Sequence, residues 1–201
     1  MKLFLVRHAS VIYTNDSKKN RHRGLSPLGM AQALEIATLW KHPVHHIYSS
    51  SLPRASQTVL PLSNKVQVPL IEDDMLVELD YRGDTMLFHE KTKEDRNFKF
   101  EGGESINEAN ARFASAIGAI VDRHADGTIV VGTHGTVLSE FLIRQFDFSK
   151  DFFFQLSYPD IYEIQCTDTG EFGSIRRAVE FLPETTVRHP RYQAPTSSHI
   201  V

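Results

Sequence analysis

Two apolar runs in this chain each end in a histidine. Lys2-Leu3-Phe4-Leu5-Val6 leads into Arg7-His8, and Thr128-Ile129-Val130-Val131-Gly132-Thr133 leads into His134-Gly135. A short continuous apolar run reads as a strand buried on both faces, as in a parallel sheet. Such strands need helices over both faces of their sheet, which constrains the chain to an α/β layered fold. In open sheets of this kind, ligands bind beyond the carboxyl ends of the strands. Both histidines occupy that edge, and Arg7 beside the first points to an anionic ligand.

The intervening sequence supplies the helices. Ser26-Pro27 predicts a helix start, with serine as N-cap and proline in the first turn. Met30, Ala33, Leu34, Ala37 and Trp40 follow at helical spacing. His46-Ile47-Tyr48-Ser49 predicts a second short strand, and Ser51-Leu52-Pro53 opens another helix. Val66-Gln67-Val68-Pro69-Leu70 predicts a third strand, confined by its proline to an edge. Residues 72–104 are rich in charge and read as a cap or lid region inserted in the domain. Glu104-Ser105 leads into a helix carrying Ala109, Phe113, Ala116, Ile117 and Ile120. The helix after Gly135 carries Leu138, Phe141 and Leu142, and 161–164 and 172–177 predict a strand pair joined by a Thr169-Gly170 turn. The expected architecture is a three-layer α/β/α sandwich with a mostly parallel central sheet. Residues 1–182 form one domain, and 183–201 form a polar, proline-punctuated tail on the surface.

Charge and cysteine content narrow the function. The net charge of −3 excludes a global basic field for nucleic acid, so an anion site must be local. A single cysteine, Cys166, excludes an internal disulfide framework and a cysteine-rich metal site. No run approaches the roughly 18 apolar residues of a membrane helix, and the N-terminal apolar run is too short for a signal peptide. The expectation is a cytoplasmic protein with a local anion site and without nucleic acid or membrane as partner.

The residues at the strand ends carry specific chemistry. A histidine can attack phosphorus if one ring nitrogen is unprotonated and the other is held by a hydrogen bond. Arg7 would neutralise phosphoryl oxygens; the plain alternative is a surface Arg-His pair. His134 precedes a helix whose free amides and dipole would face a bound anion. It could donate to a phosphoryl oxygen, or simply cap that helix. Arg54 sits at a helix start, where it opposes the macrodipole by roughly a few tenths of a kcal/mol; an anionic ligand would offset this. Glu78 lies among Met75-Leu76-Val77 and Leu79, an apolar setting that suits a general acid. Asp80 and Asp84 compete for that role.

These motifs together resemble the histidine phosphatase superfamily, in its phosphoglycerate mutase-like branch. Leu5-Val6-Arg7-His8-Ala9 is similar to the family's first signature, with alanine where glycine is usual. Leu25-Ser26-Pro27-Leu28-Gly29-Met30-Ala31-Gln32-Ala33 resembles its first helix start, and residues 47–58 closely resemble its second signature. Leu76-Val77-Glu78, Gly102-Gly103-Glu104-Ser105 and Val131-Gly132-Thr133-His134-Gly135 complete the set across residues 2–145. The resemblance implies that His8 is the phosphorylated nucleophile and that Arg7, Arg54 and His134 form the phosphate pocket. It implies that Glu78 is the proton donor and then the base for water. Asn15 and the Thr136 amide are further phosphate contacts on this reading. The tryptophan-containing run that often follows the acid is missing from Leu79-Asp80-Tyr81-Arg82-Gly83.

The leading reading is a metal-independent phosphatase for small phosphomonoesters, with a small phosphorylated metabolite as its partner and no cofactor. A phosphoglycerate mutase is the alternative, disfavoured by the short span from Arg54 to Glu78. A catalytically inactive binding module would be expected to have lost one of these histidines or arginines. A phosphohistidine phosphatase acting on proteins would be expected to lack the acid.

Overall fold

The computed structural model describes residues 1–12, 21–124, 126–167 and 169–188. In chain order the strands are β1 (Lys2–Arg7), β2 (His46–Ser49), β3 (Leu70–Glu72), β4 (Thr128–Thr133), β5 (Ser157–Tyr158), β6 (Asp160–Cys166), β7 (Phe172–Arg177) and β8 (Val187–Arg188). The helices are α1 (Pro27–Leu39), α2 (Pro53–Val66), α3 (Thr85–Glu94), α4 (Ile106–Arg123) and α5 (Gly135–Phe146). The main sheet has the order β3-β2-β4-β1-β6-β7. Its first four strands run parallel, and β6 and β7 close it with antiparallel pairings. The sheet is therefore mostly parallel, as expected.

Alternation along the buried strands creates the three layers. Leu3, Leu5, Ile129 and Val131 share a buried cluster with Phe113 and Ile117 of α4 and Leu138 and Phe141 of α5. Phe4, Val6 and Val130 point the other way, into a cluster with Ile36 and Ala37 of α1 and Val59 and Leu62 of α2. Successive side chains of one strand thus bind helices on opposite faces. The β1–β4 register pairs Arg7 with Thr133, and the His8 amide donates to the Thr133 carbonyl at 2.9 Å. This pairing brings His8 and His134 to one place on the carboxyl edge.

Local sequence sets the helix ends. Ser26 Oγ accepts from the Gly29 amide, and Pro27 occupies the first turn of α1. Ser105 and Glu108 form a reciprocal capping box at α4. Three expectations change in detail. On α1, Met30 and Leu34 are 46% and 59% exposed, while Gln32 and Ile36 turn inward. The third strand is 70–72 and not 66–70, because α2 continues to Val66. Gln67 then ends that helix in the left-handed conformation, at φ 58°, and Pro69 prevents its resumption. The strand does lie at the sheet edge. Finally, residues 183–188 are tied to the fold: β8 pairs with β5, and Gln32 Nε2 donates to the Thr185 carbonyl at 2.7 Å.

Residues 72–104 hold a 3-10 turn at Asp74–Leu76 and then α3, whose N-cap is Asp84. Leu79 and Phe88 join the same buried cluster as α4 and α5, so this stretch packs directly onto the domain. Tyr81 stacks on Phe88 at 5.0 Å, and Phe98 and Phe100 flank it.

Gly29 and Gln32 hold the chain that leaves β1. A Cβ on Gly29 would lie 2.0 Å from the Ser10 carbonyl oxygen, so only glycine lets α1 approach this backbone. Fully buried Gln32 accepts the Ser10 amide at 3.0 Å and donates to the Tyr158 carbonyl at 3.1 Å. Gly29→Ala is expected to displace the segment after His8, costing about 3 kcal/mol of stability by overpacking. Urea unfolding checks the loss of stability. A fall in activity, measured where the variant is fully folded, checks the displacement.

Candidate active site

Four polar side chains meet at the carboxyl edge, all nearly inaccessible to water. Arg7, His8, Arg54 and His134 are 2%, 3%, 4% and 0% exposed. The imidazoles of His8 and His134 lie with ring centroids 5.4 Å apart. Arg7 comes from the end of β1, and its guanidinium stacks 3.7 Å from the Tyr158 ring centroid. Its Nη1 donates to the Ser157 carbonyl at 3.2 Å. That turn is fixed in turn by buried Asp160, which accepts the Ser157 amide and pairs with Arg177 Nε at 2.7 Å. Gly135 leaves room for Arg7, since a Cβ there would stand 2.8 Å from Nη2.

Hydrogen bonding selects the state of each imidazole. His8 Nδ1 bonds to the Ala9 carbonyl at 2.8 Å; a carbonyl only accepts, so Nδ1 carries the proton and Nε2 keeps its lone pair. Ser50 Oγ accepts the Leu52 amide at 3.1 Å and bonds His134 Nε2 at 2.8 Å. After accepting the Leu52 amide, Ser50 Oγ retains one proton and one lone pair, so this contact fits either tautomer of His134; with the hydroxyl donating to Nε2, the His134 proton lies on Nδ1. That Nδ1 is buried and has no partner among the described residues. Burial, then Arg54 and then Arg7 hold the His8 pKa well below its ordinary value. Burial, then Arg54 and His8, do the same for His134. Both rings are therefore neutral at neutral pH.

Neighbouring residues fix the backbone around His8. Thr58 Oγ1 accepts the Ala9 amide at 3.0 Å and donates to the Arg54 carbonyl at 2.7 Å. Ala9 is not among the residues with positive φ, so alanine is tolerated where the family uses glycine. Arg54 Nη1 donates to the Arg21 carbonyl at 2.7 Å.

Glu78 sits in a different environment from the apolar one expected. Its carboxylate accepts the Thr136 amide at 3.0 Å and the Val137 amide at 3.2 Å, together with its neighbour Leu79 at 3.0 Å. The anion at the N-terminus of α5 is thus Glu78 itself, and the Thr136 amide expected to reach a phosphate is engaged by it. Glu78 stands next to His134 as a result. Asp84 is occupied as the α3 cap, and Asp80 pairs with Arg82 at 3.0 Å and Arg21 at 3.6 Å. Asn15 lies outside the described residues.

A clamp on α4 holds the strand of chain bearing Glu78. Arg112 Nε and Nη2 reach both oxygens of Glu104 at 2.7 and 2.8 Å. Its Nη1 donates to the Met75 and Val77 carbonyls at 2.8 and 3.0 Å. The Glu104 amide donates to the Asp80 carbonyl at 2.8 Å. Gly103 permits this approach, because a Cβ would lie within 2.9 Å of the Asp80 and Tyr81 carbonyls. Arg112, Ser50, Arg21 and Arg23 were not singled out from the sequence. Ser50 lay inside a quoted motif, whereas Arg112 and the two loop arginines carried no local signal. Arg23 contributes to the lowered pKa of His8 and Arg21 to that of His134.

Among the described residues, one trio could bring ligand atoms together around a metal: His42, Glu163 and Glu180. Lys2 and Arg176 already pair with Glu163, and Arg176 with Glu180, so cations occupy that cluster. No described helix is long and apolar enough to cross a membrane.

Known proteins share this arrangement of elements. Phosphoserine phosphatase 1 of Hydrogenobacter thermophilus is 29% identical over 152 residues, covering 67% of this chain and 71% of the relative. The structure of a mycobacterial glucosyl-3-phosphoglycerate phosphatase with VO3 superposes with a TM-score of 0.69 at 19% identity, covering 89% of this chain and 97% of that one. A histidine-to-alanine variant of Entamoeba histolytica phosphoserine phosphatase bound to phosphoserine gives a TM-score of 0.68 at 22% identity, covering 87% and 95%. The family model for the histidine phosphatase superfamily, branch 1, matches residues 3–174, and the chain belongs to that superfamily.

Proposed function

We propose that this protein hydrolyses small phosphomonoesters through a phosphohistidine on His8. The observation that carries the reading is the Nδ1–Ala9 hydrogen bond, which leaves Nε2 of a neutral imidazole as a lone-pair donor within the field of two buried guanidinium groups. The phosphatase names of the relatives support the same reaction class.

In the first step His8 Nε2 forms a bond to phosphorus as the bond from phosphorus to the ester oxygen breaks. Arg7, Arg54 and the Nδ1–H of His134 stabilise charge on the phosphoryl oxygens. Glu78, the carboxylate of the resting site, takes up a proton as the ester binds and gives it to the leaving oxygen. In the second step the Glu78 carboxylate takes a proton from water as that water attacks phosphorus. Phosphate leaves and His8 returns to its neutral form. No residue set in this sequence of steps calls for a metal. Between α2 and Glu78 the chain holds only β3 and one 3-10 turn, a span too short for an inserted cap there, which supports hydrolysis over mutase chemistry.

His8→Ala is expected to reduce turnover to below about a thousandth of wild type. It should also remove the acid-labile, base-stable phosphate that rapid quench traps on the wild-type protein. Substantial activity in that variant overturns the mechanism. Glu78→Gln should slow alkyl phosphates by about a hundredfold or more and p-nitrophenyl phosphate far less, since its leaving group needs little protonation. Equal losses on both substrates would remove Glu78 as the acid.

The neutral histidines also give the fold a pH dependence. In the unfolded chain imidazoles titrate near about 6.5, and in the fold His8 and His134 titrate well below that. Between these values the unfolded chain binds more protons. The stabilisation is therefore complete above about pH 6.5 and is lost as pH falls toward the folded values. Urea midpoints should decline from pH 7 to pH 5, and added phosphate should lessen the decline by favouring the protonated rings. A flat profile without phosphate contradicts this assignment.

A further inference from the structure

Arg21 places a guanidinium beside the catalytic cluster without a hydrogen bond to any described residue. Its carbonyl is fixed by Arg54 at 2.7 Å. Its side chain is 31% exposed and makes one ionic contact, to Asp80 Oδ2 at 3.6 Å, beyond hydrogen-bond range. Arg82 Nε reaches the same oxygen at 3.0 Å. Two guanidinium groups thus share a single carboxylate oxygen, leaving one excess positive charge and most of their N–H donors uncommitted.

The location of this trio relates it to the substrate. Asp80 follows Glu78 by two residues, and its backbone is held by Glu104 in the same clamp that holds the acid. A group that protonates the leaving oxygen must face the departing alcohol, so the 78–82 loop borders the leaving-group side. Arg21 bridges from this loop to Arg54 of the phosphate pocket. Its charge also acts on His134 more strongly than that of Arg7 does, which places it within electrostatic reach of the phosphoryl site.

We propose that Arg21, assisted by Arg82, binds a carboxylate on the alcohol portion of the substrate, with Asp80 as the resting occupant of that subsite. This proposal rests on the phosphatase reading and adds the substrate class: small phosphomonoesters with a carboxylate a few bonds from the ester oxygen. The planar fork of arginine matches a carboxylate, and the group it already faces is a carboxylate. A partly exposed ion pair contributes little to stability, so a substrate carboxylate displaces Asp80 at low cost.

The test compares substrates that differ only in the carboxylate. Phosphoserine is paired with phosphoethanolamine, and 3-phosphoglycerate with glycerol 3-phosphate, where a hydroxymethyl group replaces the carboxylate. Wild type should favour the carboxylate member of at least one pair in kcat/KM. Arg21→Gln should lower that preference by about tenfold or more, the scale of a charge-assisted hydrogen bond. Arg21→Lys should restore part of it, and Asp80→Asn should increase it. The ratio is taken within one protein preparation, so a partly misfolded variant leaves it unaffected.

A wild type without preference, or an Arg21→Gln ratio equal to that of wild type, overturns the subsite. Calorimetric binding of the same pairs to the His8→Ala protein reads the same preference without turnover. Hydrolysis of p-nitrophenyl phosphate by wild type, and its loss in His8→Ala, tests the phosphatase reading separately.

Discussion

Two buried guanidinium groups set the conditions for everything else at the catalytic edge. Removing an arginine from water costs several kcal/mol unless it is paired or hydrogen-bonded. Here Arg7 has the Tyr158 ring and the Ser157 carbonyl, and Arg54 has the Arg21 carbonyl. The acceptors of Arg7 are neutral and leave its positive charge in place. Two imidazoles packed against that charge stay neutral, which is what gives His8 a lone pair. A phosphoryl dianion would neutralise the arginines and meet the unpartnered Nδ1 of His134 together. The donors are oriented before any substrate arrives, which is the arrangement that lowers a charged transition state without reorganisation.

That arrangement depends on backbone held from several directions. The β1–β4 register brings the two histidines together. Thr58 fixes the Ala9 amide, and Gln32 fixes the Ser10 amide while reaching the Tyr158 and Thr185 carbonyls. Buried polar side chains of this kind are costly unless satisfied. Their placement holds Ala9 and Ser10 as a continuation of β1, which suits a site whose geometry must be held closely. Gly29 contributes by the absence of a side chain, because α1 could not otherwise come this near.

The buried strands and helix starts were legible in the sequence because each has a local cause. Continuous apolar runs marked β1 and β4, and Ser26-Pro27 and Glu104-Ser105 marked α1 and α4. His8, Arg54 and His134 were legible as polar residues at the ends of those elements. Where local preference competed with a neighbour, the reading failed: Val66 and Val68 favour a strand, yet the turn of α2 had not ended. The surroundings of Glu78 were misread for a related reason. Its sequence neighbours are apolar, but its environment is built by amides from 58 and 59 residues away. The roles of Arg112, Ser50 and Arg21 come entirely from tertiary contacts, and no spacing in the chain announces them.

The seat of Glu78 on the first amides of α5 has a consequence for how such a protein can change. His134 caps the same helix, so the proposed acid and the proposed oxyanion donor are mounted on one rigid terminus. A shift of α5 carries both groups in the same direction and preserves the distance between them. The proposed nucleophile, His8, directly follows β1, a separate body. Substitutions that alter helix packing therefore adjust one variable, the separation of this paired unit from His8, instead of scattering three independent groups. Divergence in the surrounding loops can then proceed with little risk to the relation between proton delivery and charge stabilisation.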